Sequence, residues 1–246
     1  MGAKIYYTII SSSCRKSGIG RESNLKLRDY LIAQGFPLDF PLPQVREIWA
    51  KWLAEAMPPP VARALIDMLP LERFTMIDVF CGIGGWILGA HQTGKLVKAI
   101  GIDIDKRKLK ILECACEKYG ICAEFVCADI GKLDPSTLPN VDLVVGSPPC
   151  QDISLARCIV EYKGIFKPRG TYPLTERFFE IIDAIRPKYW IMENVYNRKY
   201  VEFLRELRDD IRFVQKVDFS KWVPQLRKRL IVSNYPLGNQ MLDDFL

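Results

Sequence analysis

Histidine is almost absent from this sequence, in which His91 is the single example among 246 residues. One histidine excludes both a catalytic histidine dyad and a metal site built from several histidines. Long apolar runs are also absent, and no basic-then-apolar leader opens the chain, so we expect neither a membrane span nor a signal peptide. Apolar residues make up 49% and charged residues 26%, which is the balance of a globular protein rather than a disordered one.

The eight cysteines include no Cys-x-x-Cys pair, which argues against a zinc site or a thioredoxin-like motif. Because no export signal is predicted, we expect reduced thiols, a cytoplasmic location and no bound metal. The formal net charge is +6. This mild basic excess permits a polyanionic partner but does not require one.

From residue 75 onward, short apolar runs typical of strands alternate with amphipathic runs typical of helices. This alternation predicts an α/β fold, with a doubly wound, mostly parallel sheet and helices on both faces. Ligands of such sheets bind at the carboxyl ends of the strands. The predicted strands are 75–80, 97–103, 123–127, 141–145, 188–192, 212–218 and 229–233, and the predicted helices are 86–92, 106–118, 174–185 and 201–209.

Residues 1–74 have a different pattern, without a low-complexity linker before Thr75. We therefore expect one catalytic domain over residues 1–246, in which 1–74 packs on the sheet, 75–130 forms a cofactor half and 131–246 forms a catalytic half. Within the first segment, the pattern predicts a strand at 4–10, a loop at 11–23 and helices at 25–34, 44–57 and 61–69, the last opened by Pro58, Pro59 and Pro60.

The first predicted strand of the sheet runs into a glycine-rich turn that contains Gly82 and Gly84. Such a turn lets the main chain approach a ligand, and the next strand ends at Asp103, an acceptor suited to ribose hydroxyls. Asp129 follows the third strand. The turn lacks the third glycine of a dinucleotide motif, so the spacing favours S-adenosylmethionine over NAD. The alternative is that the glycines only make a tight turn and the acids only cap helices.

Three further features point to chemistry at the same edge of the sheet. Cys150 follows two prolines after a predicted strand, and a cysteine held this rigidly is a candidate nucleophile. Glu193 lies at the end of another strand among apolar residues, which suits a proton donor. In extended chain Gln225, Arg227 and Arg229 share one face, which predicts two guanidinium groups aimed at one locus. A solvated charge run is the alternative for that last segment.

Four segments together resemble the DNA (cytosine-5) methyltransferase family, in the family's usual order. They are Asp78–Gly85 (DVFCGIGG), Pro148–Gln151 (PPCQ), Glu193–Val195 (ENV) and Gln225–Arg229 (QLRKR). The resemblance implies a Rossmann-like methyltransferase fold and S-adenosylmethionine as cofactor. It implies that the residues lining the cofactor site are Phe80, Gly82, Ile83, Gly85, Asp103, Ile104, Asp129, Ile130 and Pro149.

The resemblance also implies a mechanism. Cys150 would add to C6 of cytosine, Glu193 would bind N3, and Arg227 would lie in the base pocket. The target base would be flipped out of duplex DNA, and a segment at 155–170 with Arg157, Lys163, Lys167 and Arg169 would close on the backbone phosphates.

The N-terminal segment resembles the family's last two motifs, placed before the first one. Leu27–Pro37 resembles the ninth motif and Lys51–Ala64 the tenth, so the order is that of a circular permutation. The chain departs from the family pattern at three places, where Ile153 replaces Phe, Asp103 replaces Glu, and Ala54-Glu55 replaces Gly-Asn.

The family has a long target-recognition region between its eighth motif, which Gln225–Arg229 resembles, and its ninth, so the permuted order predicts this region after Ser233 or before Leu27, where we expect too few residues for an independent domain. We therefore expect a second polypeptide to supply recognition of the target sequence. Two other functions stay open on the sequence: an RNA (tRNA) cytosine-5 methyltransferase, and an inactive regulatory subunit that keeps the fold.

Overall fold

The computed structural model describes residues 26–150, 171–209 and 211–237. Seven strands in these ranges form one sheet. In chain order they are β1 (Phe74–Val79), β2 (Leu96–Asp103), β3 (Ala123–Cys127), β4 (Leu143–Gly146), β5 (Tyr189–Asn194), β6 (Phe213–Asp218) and β7 (Lys228–Ser233). The helices are α1 (Leu27–Gln34), α2 (Arg46–Glu55), α3 (Pro59–Asp67), α4 (Gly85–Gln92), α5 (Lys106–Tyr119), α6 (Thr171–Ile185) and α7 (Arg198–Leu207).

The strand order across the sheet is β3-β2-β1-β4-β5-β7-β6. Neighbouring pairs from β3 to β5 are parallel, whereas β7 is antiparallel to both β5 and β6. Strands β4 and β5 are buried along their whole length, which is the pattern of strands covered on both faces. The predicted α/β fold with a mostly parallel sheet is confirmed, and every strand predicted from residue 75 onward is present. The strand and loop predicted within residues 4–23 lie outside the described residues.

Two apolar cores lie on opposite faces of the sheet. One core contains residues of α4 and α5 together with all three N-terminal helices, including Leu53 and Leu65. The other contains residues of α6 and α7, including Phe178 and Leu204. The three N-terminal helices therefore share a core with α4 and α5 on one side of the sheet, and the predicted single catalytic domain with its cofactor and catalytic halves stays a prediction. Among the described residues, none of the helices is long and apolar enough to span a membrane.

Both ends of helix α5 are determined by capping residues in the sequence. The Asp105 side chain accepts a hydrogen bond from the Arg107 amide at the start of the helix, and Gly120 adopts a left-handed conformation (φ 69°) at its end. Asp105 also bonds the Arg107 guanidinium at 2.8 and 3.0 Å. The start of α5 is thereby fixed directly after β2.

Helices α3 and α4 approach so closely that a side chain at Gly89 has no room. A Cβ at this position would lie 2.5 Å from the Ala62 Cβ and 2.6 Å from the Pro59 carbonyl oxygen. We expect Gly89→Ala to lower the free energy of unfolding by about 1–3 kcal/mol, because the neighbours include main chain that cannot move aside. Chemical denaturation measures this change, with Gln92→Ala on the exposed face of the same helix as control. A Gly89→Ala protein as stable as the control would contradict the close packing of α3 on α4.

Candidate active site

The predicted site residues meet at the carboxyl-terminal edge of the parallel strands. Asp103 ends β2, Glu193 is the penultimate residue of β5, and Cys150 follows β4. Because β7 runs antiparallel to β5, its first residues reach this same edge, and they include Arg229. One edge of the sheet therefore collects a thiol, two carboxyl groups and a guanidinium group.

The turn after β1 has an unusual main-chain conformation. Phe80, Gly82 and Gly84 have φ angles of 69°, 56° and 86°. Glycine adopts this conformation without cost, whereas Phe80 pays roughly 1–2 kcal/mol for it. At Gly84 a Cβ would also lie 2.1 Å from the Leu112 Cδ1, so a side chain there would have to displace the end of the Leu112 side chain. The turn brings main-chain N–H groups to the edge of the sheet directly before α4.

Asp103 ties this turn to the start of α5. Its Oδ2 accepts a hydrogen bond from the Gly82 amide at 2.9 Å, and its Oδ1 accepts one from the Asp105 amide at 2.8 Å. A carboxylate has about four acceptor sites, so each oxygen keeps capacity for one further donor. Asp103 can therefore hold the turn and still accept a hydroxyl from a ligand.

Asp78 on β1 is a carboxyl group that the sequence analysis did not single out as a site residue. It is fully buried, and neither of its oxygens has a hydrogen-bond partner among the described residues. Burial, together with the nearby Asp103 carboxylate, raises the pKa of Asp78 well above its ordinary value. Its signal in the sequence is an acidic residue inside an otherwise apolar strand. A buried charge without a partner is costly, and the raised pKa means that this carboxyl group is neutral inside the sheet.

The remaining residues predicted on the cofactor side fall into two groups. Ile104 is 68% exposed although it is apolar, and it is accompanied by the exposed Pro149 and the half-buried Phe80, Gly82 and Asp129. Ile83 and Ile130 are only 1% and 3% exposed, and each belongs to one of the two cores. At Gly85, a Cβ would lie 1.8 Å from the Met57 carbonyl oxygen, so packing alone requires a glycine there.

Glu193 and Arg229 form a buried ion pair beside Cys150. The Arg229 Nε lies 3.2 Å from the Glu193 Oε1, and the two side chains are 14% and 7% exposed. A guanidinium group fixed on one carboxylate oxygen orients the carboxyl group and leaves its other oxygen for a second partner. The pair therefore places one carboxyl oxygen at a defined position.

A family model described as C-5 cytosine-specific DNA methylase matches residues 74–212. The chain belongs to the C-5 cytosine-specific DNA methylase family.

Several curated relatives are similar to this methylase-family chain over part of its length. The Type II methyltransferase M1.ScrFI of Lactococcus lactis subsp. cremoris is 32% identical over 178 residues, which are 66% of this chain and 42% of the relative. The Type II methyltransferase M.XorII of Xanthomonas oryzae pv. oryzae is 30% identical over 186 residues, which are 63% of this chain and 39% of the relative. The matched part of the chain thus spans less than half the length of these relatives.

Solved structures share the fold of this methylase-family chain at low sequence identity. TrmN from Thermus thermophilus has a TM-score of 0.51 and 17% identity, covering 72% of this chain and 48% of its own. NSun6 from Pyrococcus horikoshii with SFG has a TM-score of 0.51 and 16% identity, covering 71% of this chain and 50% of its own. At this identity the likeness establishes the Rossmann-like fold alone.

Arg227 and Gln225 of the methylase-family chain bond main-chain carbonyl groups of the N-terminal helices. Arg227 donates to the carbonyl oxygens of Ala54 and Ala56 at 2.8 and 3.5 Å. Gln225 donates to the Ala33 carbonyl oxygen at 3.4 Å. The last carbonyls of a helix lack partners within it, and α1 and α2 end beside these residues. The Arg227 charge also interacts with Glu193, Cys150 and Arg229, and its predicted place in the base pocket stays a prediction.

Burial changes the acid–base properties of Arg227. Loss of hydration and the neighbouring Arg229 lower the pKa of Arg227 to about 9, although Glu193 and Cys150 oppose this change. Its Nε has no partner among the described residues. Arg227 is therefore a buried cation that joins the end of α2 to the start of β7.

Burial also raises the pKa of the Cys150 thiol above its ordinary value, and the Glu193 carboxylate adds to this effect. The guanidinium groups of Arg229 and Arg227 act in the opposite direction. The thiol is consequently neutral at pH 7, and its thiolate fraction increases with pH until the raised pKa is passed.

We expect the rate of Cys150 alkylation by iodoacetamide to increase about tenfold per pH unit, with a midpoint above the value of roughly 8.5 for free cysteine. Peptide mass analysis separates Cys150 from the exposed Cys114, Cys122 and Cys127. Free cysteine treated in the same buffers is the control. A midpoint below that of free cysteine would contradict the buried, carboxylate-facing position of this thiol.

Some predicted features lie outside the described residues. They are Gln151 and Ile153 of the segment after Cys150, and the proposed phosphate-contacting segment 155–170 with Arg157, Lys163, Lys167 and Arg169.

Proposed function

We propose that this chain transfers a methyl group from S-adenosylmethionine to C5 of cytosine in DNA through a covalent bond to Cys150. The observation that carries the proposal is the meeting of Cys150 with the Glu193–Arg229 pair at the same sheet edge as the turn held by Asp103. A nucleophile, an oriented carboxyl group and a nucleoside-type pocket are the parts that this reaction needs.

The residues at the β1–β2 edge fit S-adenosylmethionine. The free acceptor sites of Asp103 suit the ribose hydroxyls, and the exposed Ile104 offers an apolar surface to the adenine. We propose that Phe80, Gly82, Asp129 and Pro149 complete the pocket, and that Ile83, Gly85 and Ile130 contribute main chain. When bound, this cofactor supplies an electrophilic methyl group.

On the protein side, the reaction begins with a proton leaving the Cys150 thiol, because the thiolate is the nucleophile. The thiolate forms a bond to C6 of the flipped cytosine, while a proton held by Glu193 at N3 balances the charge that moves into the ring. Arg229 keeps Glu193 in place during this step. C5 then accepts the methyl group and gives up its own proton to water, the C6–S bond breaks to release the Cys150 thiolate, and the N3 proton returns to Glu193.

Cofactor binding is tested by substitution of Asp103. We expect Asp103→Ala to weaken S-adenosylmethionine binding by about 1.5–3 kcal/mol, because it removes a charge-assisted acceptor and releases the turn at Gly82. Calorimetry measures the dissociation constant. Asp105→Asn is the matched control, since asparagine also caps a helix and the substituted group faces Arg107. Equal affinities for the two variants would place the cofactor elsewhere.

We propose further that the motif order is circularly permuted and that a second polypeptide supplies target recognition. The contacts of Gln225 and Arg227 with the ends of α1 and α2 support the permutation, because they join the Gln225–Arg229 segment to the segments that resemble the ninth and tenth motifs. Among the described residues, every helix packs in the layers of the sheet, which leaves no separate unit to contact base edges. Contacts to phosphate alone give weak binding, roughly 10⁻⁴ to 10⁻⁶ M, without sequence preference.

Labelled methyl transfer from S-adenosylmethionine to duplex DNA tests the proposed function and its partner. We expect slow, unspecific labelling of DNA by the purified chain and specific labelling when the recognition polypeptide is added. Labelling of tRNA in place of DNA would assign the site to RNA. Robust sequence-specific methylation by the chain alone would contradict the need for a partner.

A further inference from the structure

A buried hydrogen-bond network links the two proposed catalytic segments to helices α6 and α7. Asn194, which directly follows Glu193, donates through its Nδ2 to the Pro148 carbonyl oxygen at 3.2 Å and to the Tyr200 hydroxyl at 3.4 Å. The Tyr200 hydroxyl lies 2.6 Å from the Thr175 Oγ1. Pro148 belongs to the short segment that carries Cys150. The network therefore touches the main chain on both sides of the proposed reaction centre.

Both N–H donors of the Asn194 amide are used in this network. The Asn194 amide has two N–H donors, and both are taken, one by Pro148 and one by Tyr200. Its Oδ1 accepts from the Val195 amide at 2.8 Å. The orientation of the amide group is thus fixed at three points, and the Tyr200 hydroxyl is the point that lies outside the motif segments. Loss of that hydroxyl would leave one buried N–H of Asn194 without a partner. Because an unpaired buried donor is costly, we expect the amide group to rotate away from its present orientation.

Packing holds the Tyr200 hydroxyl in place. Tyr200 and Thr175 are both completely buried, and Asn194 is 2% exposed. The ring of Tyr200 meets the edge of Tyr172 at 5.9 Å and stacks on Phe203 at 6.0 Å. A hydroxyl group fixed on such a packed ring defines a position to a fraction of an ångström, because protein interiors tolerate little displacement.

We propose that Tyr200 and Thr175 are positioning residues for the Cys150 reaction. By fixing the Asn194 amide, they set the position of the Pro148–Cys150 segment relative to Glu193. This inference rests on the proposed function for its effect on turnover, but its effect on the Cys150 thiol is independent of that function. A displacement of about 1 Å at a reaction centre lowers rates roughly 100-fold.

Tyr200→Phe tests the proposal, since it removes one hydroxyl and keeps the ring. The matched control is Tyr189→Phe, which removes the hydroxyl of another mostly buried tyrosine at the opposite end of β5. We expect Tyr200→Phe to lower kcat roughly 10- to 100-fold with little change in the affinity for S-adenosylmethionine. We also expect alkylation of the half-buried Cys150 to become faster, because its segment is less firmly held.

Thr175 provides a second, milder pair of variants. Thr175→Ser keeps the hydroxyl and should resemble the parent chain, whereas Thr175→Val keeps the shape and should shift kcat and Cys150 alkylation in the direction of Tyr200→Phe. The double variant Tyr200→Phe, Thr175→Val should be little worse than Tyr200→Phe alone, because both act through one network. If Tyr200→Phe is unfolded at the assay temperature, the comparison of Thr175→Val with Thr175→Ser tests the positioning role in its place.

The alkylation measurement separates this proposal from the function on which it builds. A parent chain without methyl transfer would overturn the proposed function, while faster Cys150 alkylation in Tyr200→Phe would still support the positioning role. The positioning role would be overturned if Cys150 in folded Tyr200→Phe and Thr175→Val is alkylated no faster than in the Tyr189→Phe control. This outcome does not depend on what the parent chain catalyses.

Discussion

Cys150→Ser should lose methyl transfer by more than about a thousandfold, because the serine hydroxyl is a far weaker nucleophile than a thiolate at neutral pH. The site around residue 150 offers no compensation. No histidine can serve there as a base, since the only one in the sequence, His91, lies on the exposed surface of α4. Binding of S-adenosylmethionine should be unchanged, because the proposed pocket uses the β1 turn and Asp103. Methyl transfer and calorimetry on the same preparation measure both quantities.

Cys114→Ser is the matched control for this result. Cys114 is exposed on α5, away from the Glu193–Arg229 pair, so the same change of sulfur to oxygen should leave turnover within about twofold of the parent. Turnover of Cys150→Ser within tenfold of the parent chain would remove Cys150 from its proposed role. A parallel loss of cofactor binding would show that the substitution damaged the fold instead.

A chain that begins at Thr75 should fail to fold, although it keeps every proposed catalytic residue. Helix α3 covers α4, and its residues Val61, Leu65 and Ile66 are 1% exposed or less. Each fully buried side chain of this kind contributes roughly 1.5–3 kcal/mol. Native domains are stable by only about 5–15 kcal/mol. Burial of these three side chains alone is therefore comparable with the whole stability of a native domain, and the truncation removes the other buried residues of the three helices as well.

The shortened chain would also leave polar groups of the site without partners. Arg227 would lose the carbonyl oxygens of Ala54 and Ala56, and Gln225 would lose that of Ala33. We expect aggregation, or a compact state without a cooperative thermal transition. Supplying residues 1–74 as a separate peptide during refolding is the control. A soluble shortened chain that unfolds cooperatively and binds S-adenosylmethionine would show that the N-terminal segment is an accessory.

The sheet and its site edge could be predicted from the sequence because local patterns determine them. The apolar runs before Gly82, Asp103 and Cys150 fix three strand ends, and parallel strands bring such ends to one edge. The turn conformation follows in the same way from the glycines after β1. These features depend on residues that lie close together in the chain, so they can be predicted from the sequence alone.

The partners of the buried polar side chains could not be predicted, because they depend on contacts between distant segments. Arg227 and Arg229 look equivalent in the sequence, yet one bonds the end of α2 and the other bonds Glu193. The direction of β7 decides this, and nothing in its own residues indicates that it is antiparallel. The unpartnered state of Asp78 and the link from Tyr200 to Asn194 are likewise visible only once the helices are packed.

The covalent step through Cys150 is the central claim, and capture on 5-fluorocytosine tests it most directly. An oligonucleotide with an unpaired 5-fluorocytosine avoids the few kcal/mol needed to flip a paired base, so the test does not depend on a recognition partner. Fluorine at C5 prevents the loss of a proton that would release the enzyme. With S-adenosylmethionine present, we predict a stable adduct whose peptide maps to Cys150 and whose mass includes one methyl group. No adduct, or an adduct on another cysteine, would contradict the account.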